Sequence, residues 1–204
     1  MTENLALKLT KSTTLTNVNT NLVTKSSWTP THNYIISPGE TDQDTSNDHS
    51  YYVGGNYGAL YNASAVTAGS APLQSAGDAA NSICPKGWRL PSGDLSVSSA
   101  ADKSFAKLSQ SYGVTYQLGS MNGYTMLDAT NYSGWLSDLP VSITYAGLYR
   151  WTDAYYYEQG SSANFQLTRD TATAYHYVFG TANGVIWIYA AFGFDGYSVR
   201  CVNL

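Results

Sequence analysis

Residue types that carry enzyme chemistry are few in this chain and do not stand in a familiar catalytic spacing. The histidines are His32, His49 and His176, and none of them lies near a cysteine in the sequence. There is no G-x-S-x-G nucleophile elbow, no H-E-x-x-H zinc motif, no P-loop and no G-x-G-x-x-G after a strand pattern. The sequence therefore predicts a non-enzymatic protein with no catalytic residues, no cofactor and no metal ligands.

The two cysteines, Cys84 and Cys201, lack the C-x-x-C spacing of metal and dithiol-redox sites. Two interpretations remain at this point: buried free thiols, or one disulfide bond that closes a loop of about a hundred residues and stabilises by up to about 4–5 kcal/mol. The residues alone do not favour either one.

Charge is scarce, because Asp, Glu, Lys and Arg make up 12% of the residues and the net charge is -4. The ten Lys and Arg are scattered and form no basic stripe, so we expect no nucleic-acid partner. Tyrosine occurs 18 times, which is typical of surfaces that bind through stacking and hydrogen bonds.

No segment predicts a membrane span. The longest apolar run, residues 185–194, holds about ten residues, whereas a spanning helix needs roughly 20. The first residues, MTENLALKLTKSTTLT, lack the apolar core of a signal peptide. Either the protein needs no export signal or the signal is missing from this chain.

The remaining patterns predict helices in the middle of the chain and strands toward its end. Ala101, Phe105, Leu108 and Tyr112 recur at helical spacing, and residues 125–140 suggest a second, shorter helix. From residue 141 onward, short runs rich in Val, Ile, Tyr, Phe and Trp indicate strands.

The segment GVIWIYAAF, residues 184–192, is apolar at successive positions and does not alternate. It is either a fully buried strand or a strand with one face used for binding. In the last strand pattern, YSVRCV, Tyr197, Val199 and Cys201 share the apolar face.

Three blocks of this chain resemble the bacterial major paralogous domain (FISUMP) family. They are YGALYNASA at residues 57–65, CPKGWRLP at residues 84–91 and GYSVRCV at residues 196–202. The resemblance covers residues 51–204 and implies an α+β, C-type-lectin-like domain with two helices, a twisted and mostly antiparallel sheet, and a loop-rich ligand face. Residues 1–50 are then a Thr/Asn-rich N-terminal arm and loop. Because Cys84 and Cys201 match the two family cysteines, the resemblance also favours their disulfide.

Some proteins of this fold, the variable proteins of diversity-generating retroelements, carry hypervariable residues near the C-terminus, here about residues 150–195. We aligned the chain to these variable proteins from the terminal motif backward. The positions that match diversified ones, and a run of tyrosines before them, predict a surface-exposed ligand-binding face. Its residues are Tyr155, Tyr156, Tyr157, His176, Val178, Ile186, Ile188, Tyr189, Ala190, Ala191, Phe192 and Asp195.

The resemblance thus implies a retroelement-diversified protein, extracellular or at the cell surface, that binds a protein or cell-surface ligand of receptor or adhesion type. Two alternatives stay open. One is a structural cell-surface or pilus-associated domain whose C-terminal aromatic residues are core. The other is an enzyme of the formylglycine-generating type.

Overall fold

The computed structural model describes residues 4–7, 9, 12–20, 26–30, 50–52, 58–68, 82–93, 104–121, 124–130, 143–150, 152–153, 155–169, 175–182, 185–192 and 195–203. Strands dominate these residues. Their bounds in chain order are β1 Leu15–Thr16, β2 Ser27–Trp28, β3 Ser50–Tyr52, β4 Ala59–Tyr61, β5 Trp88–Arg89, β6 Ser92–Gly93, β7 Thr115–Met121, β8 Tyr124–Thr130, β9 Leu148–Arg150, β10 Tyr155–Tyr157, β11 Ser162–Arg169, β12 Tyr175–Ala182, β13 Val185–Phe192, β14 Tyr197–Ser198 and β15 Val202–Asn203.

Two helical segments accompany the strands. The segment α1, Ala63–Val66, is a single turn capped by Asn62, whose side-chain oxygen accepts the Ala65 amide at 3.0 Å. The helix α2, Ser104–Ser111, lies where the spacing of Phe105, Leu108 and Tyr112 predicts a helix. None of the described helices has the length and apolarity required to cross a membrane.

One nine-stranded sheet organises the chain, in the order β3-β4-β14-β11-β12-β13-β8-β7, with β6 paired to β11 beside this path. The β11 strand pairs in parallel with β14 and β6, and the other described pairings of this sheet are antiparallel. Three two-stranded pairs, β1-β2, β10-β9 and β15-β5, complete the described strands. Strands do follow residue 141 as predicted, but the pattern YSVRCV forms two short strands, β14 and β15, rather than one terminal strand.

The expectation of an α+β, C-type-lectin-like domain with two helices is wrong, because the described chain is mostly β and α2 is the one described helix longer than a single turn. Residues 125–130 of the predicted second helix belong instead to β8, which pairs with β7 from Thr130 to Tyr124. The sequence between these strands is Asn122-Gly123, the dipeptide that two-residue β-hairpins favour. A pairing partner seven residues long therefore outweighs the weak helical pattern; residues 131–140 lie outside the described part.

The core has two main clusters on different parts of the sheet. One packs α2 against β11 and β13, with Phe105, Phe165, Ile186 and Ile188 among its buried side chains. The other surrounds the Cys84–Cys201 disulfide and includes Tyr61 and Val199.

Residues of the predicted N-terminal arm take part in the second cluster. Leu5, Leu9, Leu15 and Trp28 are buried in it. The Leu5 amide donates to the Val199 carbonyl at 2.8 Å. The described part of the arm thus packs on the domain, while the predicted boundary at residue 50 stays a prediction because residues 31–49 are outside the described part.

Candidate ligand-binding surface

The tyrosine run predicted to bind ligand forms one strand of a short hairpin. In the β10-β9 pair, Tyr155 lies opposite Arg150 and Tyr157 opposite Leu148. Side chains alternate along a strand, so Tyr155 and Tyr157 share one face, where their ring centroids are 6.0 Å apart. Tyr155 is 62% exposed, which makes it one of the most exposed large side chains among the described residues.

The middle tyrosine of the run faces the protein instead. The Tyr156 ring packs edge-on against the ring of Tyr149 at 5.2 Å, and Tyr149 is buried. This aromatic pair stabilises the inner side of the hairpin, because edge-to-face rings contribute free energy beyond that of their buried area. Burial also raises the pKa of Tyr156 above its ordinary value.

A charged cluster holds Tyr157 at the surface. The Arg150 guanidinium forms a salt bridge with Asp153 and donates to the Tyr157 hydroxyl at 2.6 Å. The same hydroxyl donates to Asp153 Oδ2 at 2.6 Å. The guanidinium carbon also lies 4.2 Å from the centroid of the Tyr157 ring, within cation–π range. These three side chains therefore hold one another in a defined arrangement before any ligand arrives.

The electrostatics of this cluster fix its protonation state. The hydrogen bond from Arg150 lowers the pKa of Asp153 to about 2, and the pKa of Arg150 is raised by the same bond. The hydrogen bond to Asp153 raises the pKa of Tyr157. Each pKa moves away from neutrality, so near neutral pH the cluster presents a guanidinium, a carboxylate and a neutral phenol at the surface.

A tight turn connects this hairpin to β11. Gly147 has φ of 70°, and a Cβ there would lie 2.0 Å from the Tyr157 carbonyl oxygen, so the close approach requires glycine. Glu158 also has a positive φ, 59°, and its side chain accepts from the Ser162 hydroxyl at 2.6 Å. The Gly160 amide donates to the Tyr145 carbonyl at 2.8 Å. The hairpin is therefore anchored by backbone contacts at its base.

The strands β12 and β13 place the other predicted site residues on two opposite faces of the main sheet. Ile186 and Ile188 point into the core beneath α2, where they are 0% and 1% exposed. Ala190 packs partly against the same cluster. The expectation that Ile186 and Ile188 are surface residues is wrong, because packing α2 on the sheet buries that side of β13.

The opposite face of these strands gathers a second group. Val178 lies directly opposite Tyr189, and Val178, Ala191 and Tyr197 form a small core cluster that Tyr189 partly covers. Asp195 is also buried, beside Tyr197. The predicted exposure of Val178, Ala191 and Asp195 is therefore wrong as well, while Tyr189 keeps partial exposure.

Two predicted residues can be placed only by strand position. His176 lies opposite Ala191, and Phe192 lies opposite Tyr175. The side chains of His176 and Phe192 lie outside the described part of the structure, so their role in a binding face stays a prediction.

Hydrogen bonds beneath this second face form a line of polar side chains. The Tyr189 hydroxyl donates to Asn164 Oδ1 at 3.3 Å, and Asn164 donates to Ser162 Oγ at 2.9 Å. Ser162 in turn donates to Glu158 of the turn below the hairpin. Burial raises the pKa of the Tyr189 hydroxyl well above its ordinary value, so it stays a neutral donor. The line links the second face to the turn that anchors the tyrosine hairpin.

Sequence patterns missed two features of this region. Arg150 belongs to the surface cluster, although it stands outside the aligned variable positions; the signal was a charged residue close to a run of three tyrosines. Gln166 is 1% exposed, and neither atom of its side-chain amide has a hydrogen-bond partner among the described residues. Its place on β11 between Phe165 and Leu167 was readable from the sequence, but its lack of partners was not.

Comparison of the chain with protein-family models, with curated proteins and with solved structures found no match. The resemblance to the FISUMP family therefore stays a prediction based on its three sequence blocks.

Proposed function

We propose that this chain is a non-enzymatic binding protein that contacts a protein or cell-surface ligand through the β9-β10 hairpin. The observation that carries the proposal is the preorganised cluster of Arg150, Asp153 and Tyr157 beside the exposed ring of Tyr155. Tyr and Arg dominate the energetically important positions of protein interfaces, since each offers apolar contact area together with hydrogen-bond donors.

An extracellular or cell-surface location is part of this proposal. The bond between Cys84 and Cys201 is of the kind that persists in oxidising compartments and is rare in the cytosol. A ligand displayed on another cell or in the extracellular space would then be accessible to the hairpin.

The surface is smaller than the sequence patterns predict. Burial of Val178, Ile186, Ile188 and Ala191 removes these residues from a face that could vary without loss of stability. The proposed contact surface therefore consists of Tyr155, Tyr157, Arg150 and Asp153, with the partly exposed Tyr189 as a further candidate on the sheet.

Binding of the fluorescently labelled chain to a panel of intact bacterial and animal cells tests the proposal. We expect saturable binding to at least one cell type, and at least a tenfold loss of affinity in Tyr155→Ser and in Arg150→Gln. Val18→Ser provides a matched control, because Val18 is equally a surface residue but lies outside the hairpin. Absence of binding throughout the panel, or equal binding by all variants, would contradict the proposal.

The proposal extends to diversification by a retroelement. In the source genome we expect a reverse transcriptase gene and a nearby, Asn-rich copy of residues 175–202. The buried positions on β12 and β13 would then vary only among residues that the core accepts. A genome without such a copy would contradict this part and leave the binding proposal intact.

A structural role at the cell surface is the second candidate function. The observation that favours it is the burial of Ile186 and Ile188 under α2, which makes the apolar run of β13 a core strand. If both hairpin variants bind cells as well as wild type, and the chain is incorporated into a cell-surface assembly, the structural role is favoured over ligand binding.

A further inference from the structure

The strand β7, Thr115–Met121, forms one edge of the nine-stranded sheet. It pairs with β8 on one side, and no described strand pairs with its other side. The side chains of Thr115, Gln117, Leu118 and Ser120 are exposed, so among the described residues none buries these four positions of the edge strand. Leu118, at the centre of the strand, is 64% exposed.

This edge lacks the features by which proteins prevent edge-to-edge pairing. Such features are charged side chains, especially lysine, together with proline and β-bulges. The sequence of β7 is TYQLGSM, without charge or proline. Its pairing with β8 runs without interruption from Thr115 opposite Thr130 to Met121 opposite Tyr124, so the strand contains no bulge.

A row of apolar positions leads from the core to this edge. Leu118 lies opposite Leu127, and Leu127 lies opposite Ile188, which is buried. Positions directly opposite one another in antiparallel strands share a face of the sheet. The row that begins in the core thus ends at a leucine exposed to solvent.

We propose that β7 pairs antiparallel with β7 of a second copy of this chain, with the two-fold axis passing through Leu118. Leu118 is the central residue of the seven, so this register pairs the whole strand. It places Leu118 opposite Leu118 of the partner subunit and Gln117 opposite Gly119 of the partner subunit.

A second copy of this chain is the partner that the composition of the edge favours. In an isologous interface the residue on the two-fold axis faces its own symmetry mate, so a charge at that central position would meet the same charge. The seven residues carry no charge, although the chain has a net charge of -4, so two copies meet without like-charge pairs along the strand. The contact joins two sheets into one and buries both copies of Leu118.

Sedimentation equilibrium of the full chain tests the proposal. We expect wild type to have twice the 22.1 kDa chain mass. Leu118→Lys and Leu118→Glu should each be monomeric, because like charges directly opposite destabilise a strand pair. An equimolar mixture of these two variants should recover the dimer, since opposite charges then face each other. The control Val18→Lys changes a residue that is 84% exposed and off the sheet, and it should remain dimeric.

Cross-linking then tests the register. Both native cysteines are bonded to each other, so a new thiol has no partner within its own chain. Under mild oxidation, Leu118→Cys should form a covalent dimer, whereas Gln117→Cys, whose symmetry mate is displaced along the strand, should do so far more slowly. A monomeric wild type, a dimer unaffected by both charged variants, or equal cross-linking of the two cysteine variants would overturn the proposal.

Discussion

Cys84 and Cys201 are joined by a disulfide across 117 positions of sequence, with Cα atoms 5.8 Å apart. The bond links the loop before β5 to the segment between β14 and β15, in the cluster that also contains Leu5 and Tyr61. It confirms the pairing that the family resemblance favours and holds the C-terminal segment against the first part of the domain.

Removal of this bond should destabilise the chain strongly. In the loop-entropy model a loop of this length contributes about 5 kcal/mol, so the Cys84→Ala/Cys201→Ala variant should unfold at much lower denaturant concentration than wild type. Urea titration with and without reductant measures the difference. Reductant should shift the wild-type midpoint and leave that of the double variant unchanged; an equal shift in both would contradict the prediction.

Because β13 lies in the core, truncation of the Ile188 side chain should lower the free energy of unfolding strongly. Ile188→Ala should lower the free energy of unfolding by about 2–5 kcal/mol, because the cavity beneath α2 would not be filled. Leu118→Ala removes a similar side chain from the exposed edge strand. At protein concentrations low enough to dissociate the proposed dimer, it should change stability far less. Comparable losses in the two variants would show that burial of Ile188 does not stabilise the fold.

The turn at Gly147 should not accept a side chain. Gly147→Ala would place a methyl group on the Tyr157 carbonyl oxygen, so the hairpin base must move, and we expect a loss of stability well above about 2 kcal/mol together with weaker ligand binding. Gly113→Ala is the matched control, since Gly113 has φ of 85° but no atom within 4 Å of the added Cβ. Its cost should be limited to the backbone conformation, about 1–2 kcal/mol. Chemical denaturation ranks the two, and the reverse order would refute the close-contact explanation.

Replacement of Gln166 by a nonpolar side chain of similar shape should stabilise the chain. A buried polar group without a partner costs about 1–3 kcal/mol, and Gln166→Met removes two such atoms while keeping most of the volume. Asn164→Leu is the informative contrast. It breaks bonds to Ser162 and Tyr189, and it should destabilise. A lower melting temperature for Gln166→Met would mean that its amide is satisfied.

Alkaline pH should destabilise the fold through buried tyrosines. Burial raises the pKa of Tyr116 from 10.0 to about 12, while its hydroxyl bonds to Ser109 at 2.8 Å. A raised pKa in the folded state gives stability that is complete below pH 10 and declines as pH rises toward 12. Tyrosinate absorbance during a pH titration should show an early phase from exposed rings and a late phase. Tyr116→Phe should reduce the late phase, and an unchanged late phase would exclude Tyr116 as its source.

Local sequence patterns were sufficient to predict those helices and strands whose spatial neighbours are also close in sequence. The spacing of Phe105, Leu108 and Tyr112 predicted α2, and the runs rich in Val, Ile, Tyr and Phe predicted β11, β12 and β13. Side-chain periodicity is a local property, so it can be read without knowledge of the fold. The Asn122-Gly123 dipeptide carried the signal for the β7-β8 hairpin as well, although the helical pattern after it suggested otherwise.

The tertiary structure alone decided which side of each strand is buried. The run of β13 is apolar at successive positions, so periodicity could not distinguish core from surface at Ile186 and Ile188; the helix packed above them makes that side core. The opposite side became a second small core because Tyr197, brought in by the parallel pairing of β14 with β11, packs against Val178 and Ala191. By itself the sequence indicated Tyr155, Tyr156 and Tyr157 only as candidate ligand contacts. Their partners Arg150, Asp153 and Tyr149 come from the strand and turn that fold back on it, and those contacts decide that Tyr155 and Tyr157 face solvent while Tyr156 packs inward.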